Sequence, residues 1–174
     1  MTDLSRTQGY AGDAQGALQG RFYQPPLAAG HVPRPRLCER LRHGLQGRLL
    51  LVCAPAGFGK SSLALEFCQS AASGWPSLWL GLSRRDSDPG RFLERLLEGL
   101  QEYFPDMGSQ ALAQLKMRQR HQPFAFDAWL GEWLDELAGQ LAPGARLLLV
   151  LDDYHLAQGP VLDSCLQFLL NHLP

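Results

Sequence analysis

Residues 54–61 read Ala-Pro-Ala-Gly-Phe-Gly-Lys-Ser, and their types and spacing suit the binding of a phosphate group. Gly57 and Gly59 can adopt positive φ angles, which lets backbone N–H groups approach an anion closely. Lys60 would bring a positive charge to the β- and γ-phosphates of a nucleotide, and the Ser61 hydroxyl could ligate Mg²⁺. This is the Walker A pattern G-x-x-x-x-G-K-[ST], with Ala54 in place of the first glycine.

A second group of candidate residues, Asp152 and Asp153, follows the apolar run at 147–151. One carboxylate at the end of a buried strand can hold a metal ion, and a second can orient or deprotonate an attacking water, as in a Walker B motif. The alternative is that the two acids only cap a turn. Because they follow a phosphate loop in an α/β pattern, we favour the site. His155 is assigned no chemistry.

The elements around the loop would position it. Residues 49–53 form an apolar run without polar alternation, which predicts a strand buried on both faces of a parallel sheet. A helix is expected from about Lys60, with Leu63, Ala64, Phe67 and Ala71 on one stripe. The free N–H groups and positive dipole end of that helix would favour an anion.

The rest of the chain alternates apolar runs with helical patterns, which predicts an α/β fold. Strands are expected at 77–82 and 147–151. One helix should start with Asp88 as N-cap and Pro89 as its first residue and end at Pro105. Others are expected at 109–119, 126–141 and 160–173, the last with Val161, Leu162, Cys165, Leu166 and Leu169 facing inward. Residues 1–22 are expected to be a flexible tail, and residues 23–174 one domain.

Composition narrows the classes of protein further. The 174 residues are 45% hydrophobic and 19% charged with a net charge of −1, which predicts a globular domain without a nucleic-acid footprint. Neither a membrane span nor a signal peptide is indicated. The cysteines, at positions 38, 53, 68 and 165, lack metal-type spacing; Cys53 and Cys68 are expected in the core, and all four as reduced thiols of a cytoplasmic protein.

From about residue 23 to residue 174, the chain resembles the nucleotide-binding domain of MalT-like, LuxR-type ATP-dependent transcriptional regulators, which belong to the STAND ATPases. The resemblance rests on four segments: His-Val-Pro-Arg-Pro-Arg-Leu at 31–37, the loop at 54–61, residues 79–82 with 86–92, and Leu-Asp-Asp-Tyr-His-Leu at 151–156. The family's loop also usually lacks the first glycine. The family's second loop hydroxyl is usually threonine; here Ser61 and Ser62 replace both, which is a mild change.

The resemblance implies a three-layer P-loop NTPase fold with a mostly parallel sheet, incomplete because the chain ends before the sensor strand. In the family order, that strand lies between the strands equivalent to 49–53 and 147–151, which would here lack a shared neighbour. ATP or ADP would be held by Arg34 and by the loop residues Ala54, Pro55, Ala56, Gly57, Phe58, Gly59, Lys60, Ser61 and Ser62. Ser61 and Asp152 would hold Mg²⁺, and Asp153 would position water.

Three functions remain open. The first is a nucleotide switch of a transcriptional regulator with at most slow ATP hydrolysis, whose partners would be the rest of a longer regulator or a second copy. No DNA-binding element or membrane contact is expected in this chain. The second is a truncated interaction module that no longer binds nucleotide. The third, a small P-loop kinase or ATPase, is less favoured because no acceptor-binding segment is evident. A dinucleotide loop is excluded because its third glycine would fall on Ser62.

Overall fold

The computed structural model describes residues 22, 24–70, 75–117, 126–141, 144 and 146–173. In chain order its elements are α1 (Pro35–Gly44), α2 (Lys60–Gln69), β1 (Ser77–Gly81), a 3₁₀ turn (Arg84–Ser87), α3 (Pro89–Gln101), α4 (Ser109–Met117), α5 (Phe126–Gln140), β2 (Leu148–Asp152), α6 (Tyr154–Ala157) and α7 (Pro160–His172). The predicted tail at 1–22 lies outside the described residues except for Phe22, which packs against the core.

The two strands form a parallel two-stranded sheet. Ser77 pairs with Leu148 at one end, and Gly81 pairs with Asp152 at the other. Leu82 N–H then donates to the Asp152 carbonyl at 2.9 Å. The two predicted strands are therefore confirmed, each within one residue of its expected end. Because they run in parallel, the chain leaves both strands at the same edge of the sheet, beside Asp152.

Two hydrophobic clusters flank this sheet. The larger contains Leu78, Leu80 and Leu82 from β1 and its continuation, packed against residues of α3, α4, α5 and α7. The smaller joins α1 to α2, and Leu148 of β2 packs against it. The protein is thus a mixture of helices around a small parallel sheet, as expected of an α/β chain. The smaller cluster anchors the helix that follows the phosphate-loop sequence.

Helix α3 begins as its sequence predicts. Asp88 is the N-cap and its side chain accepts the Arg91 N–H at 2.8 Å, with Pro89 in the first helical position. The helix ends at Gln101 rather than at Pro105. A proline ring clashes with the carbonyl four residues earlier, which is that of Gln101, so the helix stops one turn before the proline.

The predicted strand at 49–53 is wrong: these residues are not in a strand. Leu49 and Leu51 are 64% and 73% exposed, and Cys53 is exposed rather than in the core. Only one side of the segment is covered, where Val52 packs in the same cluster as Leu148. A strand needs a hydrogen-bonded neighbour, and in the described part of the chain β2 pairs only with β1.

The remaining helices follow their predicted patterns with small differences. The helix expected at 109–119 ends at Met117, and positions 118–119 lie outside the described residues, as does Ala71 of the α2 stripe. In α7, Leu162, Cys165 and Leu169 are buried as expected, but Val161 is exposed. Val161 lies about 100° around the helix from Leu162, away from the centre of the stripe. No helix among the described residues has the length and apolar character to cross a membrane.

Candidate functional site

The loop at 54–59 joins the extended segment to α2 through two left-handed glycines. Gly57 has φ 80° and Gly59, the N-cap of α2, has φ 74°. Within the described residues, Phe58 is the one residue of 56–62 whose N–H donates to a backbone carbonyl, that of Pro55 at 3.4 Å. The N–H groups at the start of α2 therefore keep their capacity to bind an anion, because no side chain caps the helix either.

The Lys60 ammonium folds back over this loop. It donates to the Ala54 carbonyl at 2.9 Å and to the Pro55 carbonyl at 3.1 Å. Among the described residues no carboxylate pairs with it, so its positive charge is not neutralised by an acid. The loop itself is open to solvent from position 54 to position 58. A bound anion could thus reach both the ammonium and the N–H groups without displacing a buried side chain.

Ser61 and Asp152 are in direct contact although 91 positions separate them. Ser61 Oγ donates to Asp152 Oδ1 at 2.8 Å, and the Asp153 N–H donates to the same oxygen at 3.1 Å. The fold thus brings together the two residues that the sequence predicts as metal ligands. Their hydroxyl and carboxylate oxygens suit Mg²⁺, which binds through one or two protein groups while keeping waters and taking phosphate oxygens.

Among the described residues, this pair is the candidate for holding a metal ion. The described residues contain no group of three or more histidine, cysteine, aspartate or glutamate side chains arranged to hold one. That composition is unlike a dedicated zinc or calcium site, where the protein supplies most ligands.

Asp153, the predicted water-positioning acid, lies at the rim. Its backbone is left-handed with φ 55°, a conformation that aspartate tolerates better than most residues. Its side chain is 57% exposed, with His155 Nδ1 at 3.9 Å. Its N–H reaches Asp152, but no described contact joins its carboxylate to Lys60 or Ser61.

Arg34 lies against the loop at 54–59. Its Nη1 donates to the Phe58 carbonyl at 2.9 Å. A Cβ placed on Gly59 would come within 2.7 Å of Nη2, so the guanidinium covers the loop where it enters α2. A second cation therefore lies beside the candidate anion site. In the chain, Arg34 precedes the loop, whereas Lys60 follows it.

Sequence reasoning missed Glu66, which fixes this arginine. The Arg34 N–H donates to Oε1 and Oε2 of Glu66 at 2.8 and 3.0 Å, and His31 Nε2 lies 2.9 Å from Oε2. Burial would raise the pKa of Glu66, but hydrogen bonds from Arg34, His31 and Cys38 outweigh it and hold the pKa below its usual value. The available signal was that Glu66 is the one carboxylate in α2.

The end of β1 is held at the same edge of the sheet by a buried carboxylate. Asp86 is 1% exposed; it lies 2.8 Å from Arg95 Nη1 and accepts hydrogen bonds from Ser83 N–H and Oγ at 2.8 and 2.7 Å. Arg95 Nη2 also donates to the Gly81 carbonyl at 3.1 Å. This network fixes the turn after β1 next to the strand end that carries Asp152.

In comparisons with known proteins, the chain is similar in sequence to HTH-type transcriptional regulators, although no family model matches it. The particular relatives are regulators called MalT. The chain is 33% identical over 158 residues to MalT of Cronobacter sakazakii and of Klebsiella pneumoniae, and 28% identical to that of Vibrio cholerae. These matches cover 90% of this chain but only 16% of each relative, so the chain spans about a sixth of their length.

Proposed function

We propose that this chain binds ATP or ADP together with Mg²⁺, and that it acts as the nucleotide switch of a MalT-like transcriptional regulator. The contact between Ser61 Oγ and Asp152 Oδ1 carries the proposal. A hydroxyl that follows the loop lysine and an acid that ends a parallel strand are the two protein ligands of Mg²⁺ in P-loop NTPases. Homology to MalT over 90% of the chain supports the regulatory role.

Each site residue has a role in this proposal. The N–H groups of the loop from Ala54 to Ser62 would cradle the phosphates, and Lys60 would leave the loop carbonyls to bind them. Arg34 would add a second positive charge. Ser61 and Asp152 would hold Mg²⁺, which neutralises charge on the phosphate oxygens. Asp153 would orient a water for slow hydrolysis, consistent with a switch rather than a rapid enzyme.

The finer assignment follows from the same site. We infer that residues 23–174 are part of a STAND P-loop NTPase domain, the N-terminal domain of such regulators. The small parallel sheet with helices on both sides is consistent with a three-layer fold of which this chain holds a portion. We also infer a cytoplasmic protein, in accord with the four cysteines, which form no disulfide.

Calorimetric titration of the purified chain with ATP and ADP, with and without Mg²⁺, tests the proposal. Lys60→Ala removes a charge-assisted contact and should weaken ATP binding about 10- to 100-fold. The sequence offers a matched control because its only other lysine is Lys116. Lys116→Ala removes an exposed cation paired with Glu98 and should leave ATP affinity unchanged. Equal affinity in Lys60→Ala and the wild type would contradict the proposal.

One observation favours the second candidate, an interaction module that does not bind nucleotide. Leu49 and Leu51 are exposed beside β2, whose outer edge has no strand partner among the described residues. Exposed apolar segments next to an open sheet edge are typical of surfaces that pair with another chain. If the purified chain has the circular-dichroism spectrum of a folded protein but calorimetry detects no heat of ATP binding, this candidate would be favoured over the first.

A further inference from the structure

Glu66 links two segments that are far apart in sequence. Its carboxylate lies in α2, the same helix that begins with Lys60 and Ser61, and its side chain is only 16% exposed. Both of its oxygens accept the Arg34 N–H, and His31 contacts one of them. A single side chain therefore fixes the backbone at 31–34 relative to the helix of the candidate site.

This anchoring determines where the Arg34 guanidinium lies. The backbone of Arg34 is held by Glu66, while its guanidinium donates to the Phe58 carbonyl and covers Gly59. A long arginine side chain on an unanchored segment would lose considerable conformational entropy on settling there, so a fixed backbone lowers the cost of placing the charge. The anchor needs no contact with the ligand to have this effect.

We propose that Glu66 is a positioning residue for nucleotide binding: it holds the 31–34 segment on α2 so that Arg34 presents a second cation beside the phosphate loop. The inference rests on the proposed function, because the anion that Arg34 would meet is the polyphosphate of ATP or ADP. It adds a residue that neither the loop motif nor the acidic pair includes.

The sign of one substitution separates positioning from simple electrostatics. Glu66 carries a negative charge near the site, so removing that charge should by itself tighten the binding of an anion. If Glu66 positions Arg34, Glu66→Ala should instead weaken ATP binding about tenfold or more, as Arg34→Ala should. Glu66→Gln, which keeps an oxygen acceptor for the Arg34 N–H, should recover part of that loss.

A double-mutant cycle completes the test, with ATP binding measured by calorimetry. Glu66→Ala combined with Arg34→Ala should bind ATP no more weakly than either single variant, because both remove the same contribution. Glu39→Gln is the charge control, since Glu39 is exposed on α1 and pairs with Arg42 rather than with Arg34. It should bind ATP as tightly as the wild type or slightly more tightly.

Hydrogen exchange gives a readout that needs no nucleotide. The Arg34 amide should exchange faster in Glu66→Ala than in the wild type, while amides of α3 stay protected. Two results would overturn this inference and leave the proposed function intact. One is unchanged exchange at Arg34, and the other is ATP binding in Glu66→Ala as tight as in the wild type. A folded wild type that binds neither ATP nor ADP would overturn the proposed function as well, and the wild-type titration distinguishes the two failures.

Discussion

Ser61 Oγ lies 2.8 Å from Asp152 Oδ1, and this hydrogen bond joins the start of α2 to the end of β2. The loop at 54–59, which leads into α2, and the strand β2 bring a hydroxyl and a carboxylate from distant parts of the chain to one edge of the sheet. In this structure the hydroxyl donates its hydrogen bond to the carboxylate. A magnesium ion would use the same two oxygens, so the hydrogen bond marks the place where we propose that the ion binds.

We expect Asp152→Asn to abolish the dependence of ATP binding on Mg²⁺. The amide oxygen can still accept from Ser61, so the fold should persist, but the negative charge that attracts the ion is lost. Titrations with and without Mg²⁺ should give the same affinity in the variant, whereas Mg²⁺ should strengthen ATP binding in the wild type. Asp135→Asn, at an exposed position of α5, should behave like the wild type.

The two loop glycines allow a matched comparison. Alanine at either position is strained by about 1–2 kcal/mol because φ is positive. A Cβ at Gly57 meets nothing within 4 Å, whereas at Gly59 it would meet the Arg34 guanidinium at 2.7 Å. Gly59→Ala should therefore weaken ATP binding more than Gly57→Ala. Arg34→Ala should reduce ATP affinity less in the Gly59→Ala variant than in the wild type. An equal reduction in both backgrounds would contradict this account.

Asp86 should make the protein sensitive to acid. Burial opposes its ionisation, but Arg95 and Ser83 outweigh that effect and hold its pKa below the usual 3.8. A carboxylate with a lowered folded-state pKa stabilises the fold above its unfolded pKa and loses that contribution as pH falls through the folded value. Replacing one partner of a buried ion pair is costly, so Asp86→Asn should lower the free energy of unfolding by about 3 kcal/mol at pH 7.

Denaturant unfolding at several pH values checks this prediction. The difference in unfolding free energy between wild type and Asp86→Asn should be largest near neutral pH. It should shrink as pH falls from the ordinary value of 3.8 through the lower pKa of the folded carboxyl, below which the wild-type side chain is also neutral. Asp106→Asn, at an exposed turn position, should show little difference at any pH. A constant difference between wild type and Asp86→Asn across the pH range would show that the ion pair is not its source.

What could be predicted from the sequence was mostly local. Asp88 and Pro89 specify the start of a helix through local contacts, since Asp88 caps the N–H of Arg91 three residues later. The apolar runs specify β1 and β2. The structure confirms these predictions. The run at 49–53 has an equally apolar sequence but is not a strand. Strand formation depends on a neighbour that pairs with the segment, and a run of apolar residues does not say whether that neighbour is there.

The candidate site likewise contains residues that the sequence predicts and one residue that it does not. The loop motif predicts Gly57, Gly59, Lys60 and Ser61 because their spacing is itself the signal. Their proximity to Asp152 depends on the sheet register, yet the order of motifs along an α/β chain made it predictable. Glu66 was missed because its partners lie 32 and 35 positions upstream, in a segment without regular secondary structure. No periodicity joins such a pair, and only the folded chain shows the contact.

Two helical glycines outside the site test the packing of the core. In α3, a Cβ at Gly99 would lie 2.6 Å from Leu78 Cδ1, inside the larger cluster, whereas a Cβ at Gly139 of α5 meets nothing within 4 Å. Gly139→Ala should raise the free energy of unfolding by about 0.5–1 kcal/mol, because alanine favours the helix.

Gly99→Ala gains the same helical preference, but it forces the buried Leu78 and its neighbours apart. Overpacking of this kind costs about 1–3 kcal/mol, so the net effect should be destabilising. Thermal and denaturant unfolding of the two variants should thus move in opposite directions from the wild type. If Gly99→Ala stabilised the chain as much as Gly139→Ala, the close packing of α3 on β1 would be wrong, and with it the placement of the strand that aligns Gly81 with Asp152.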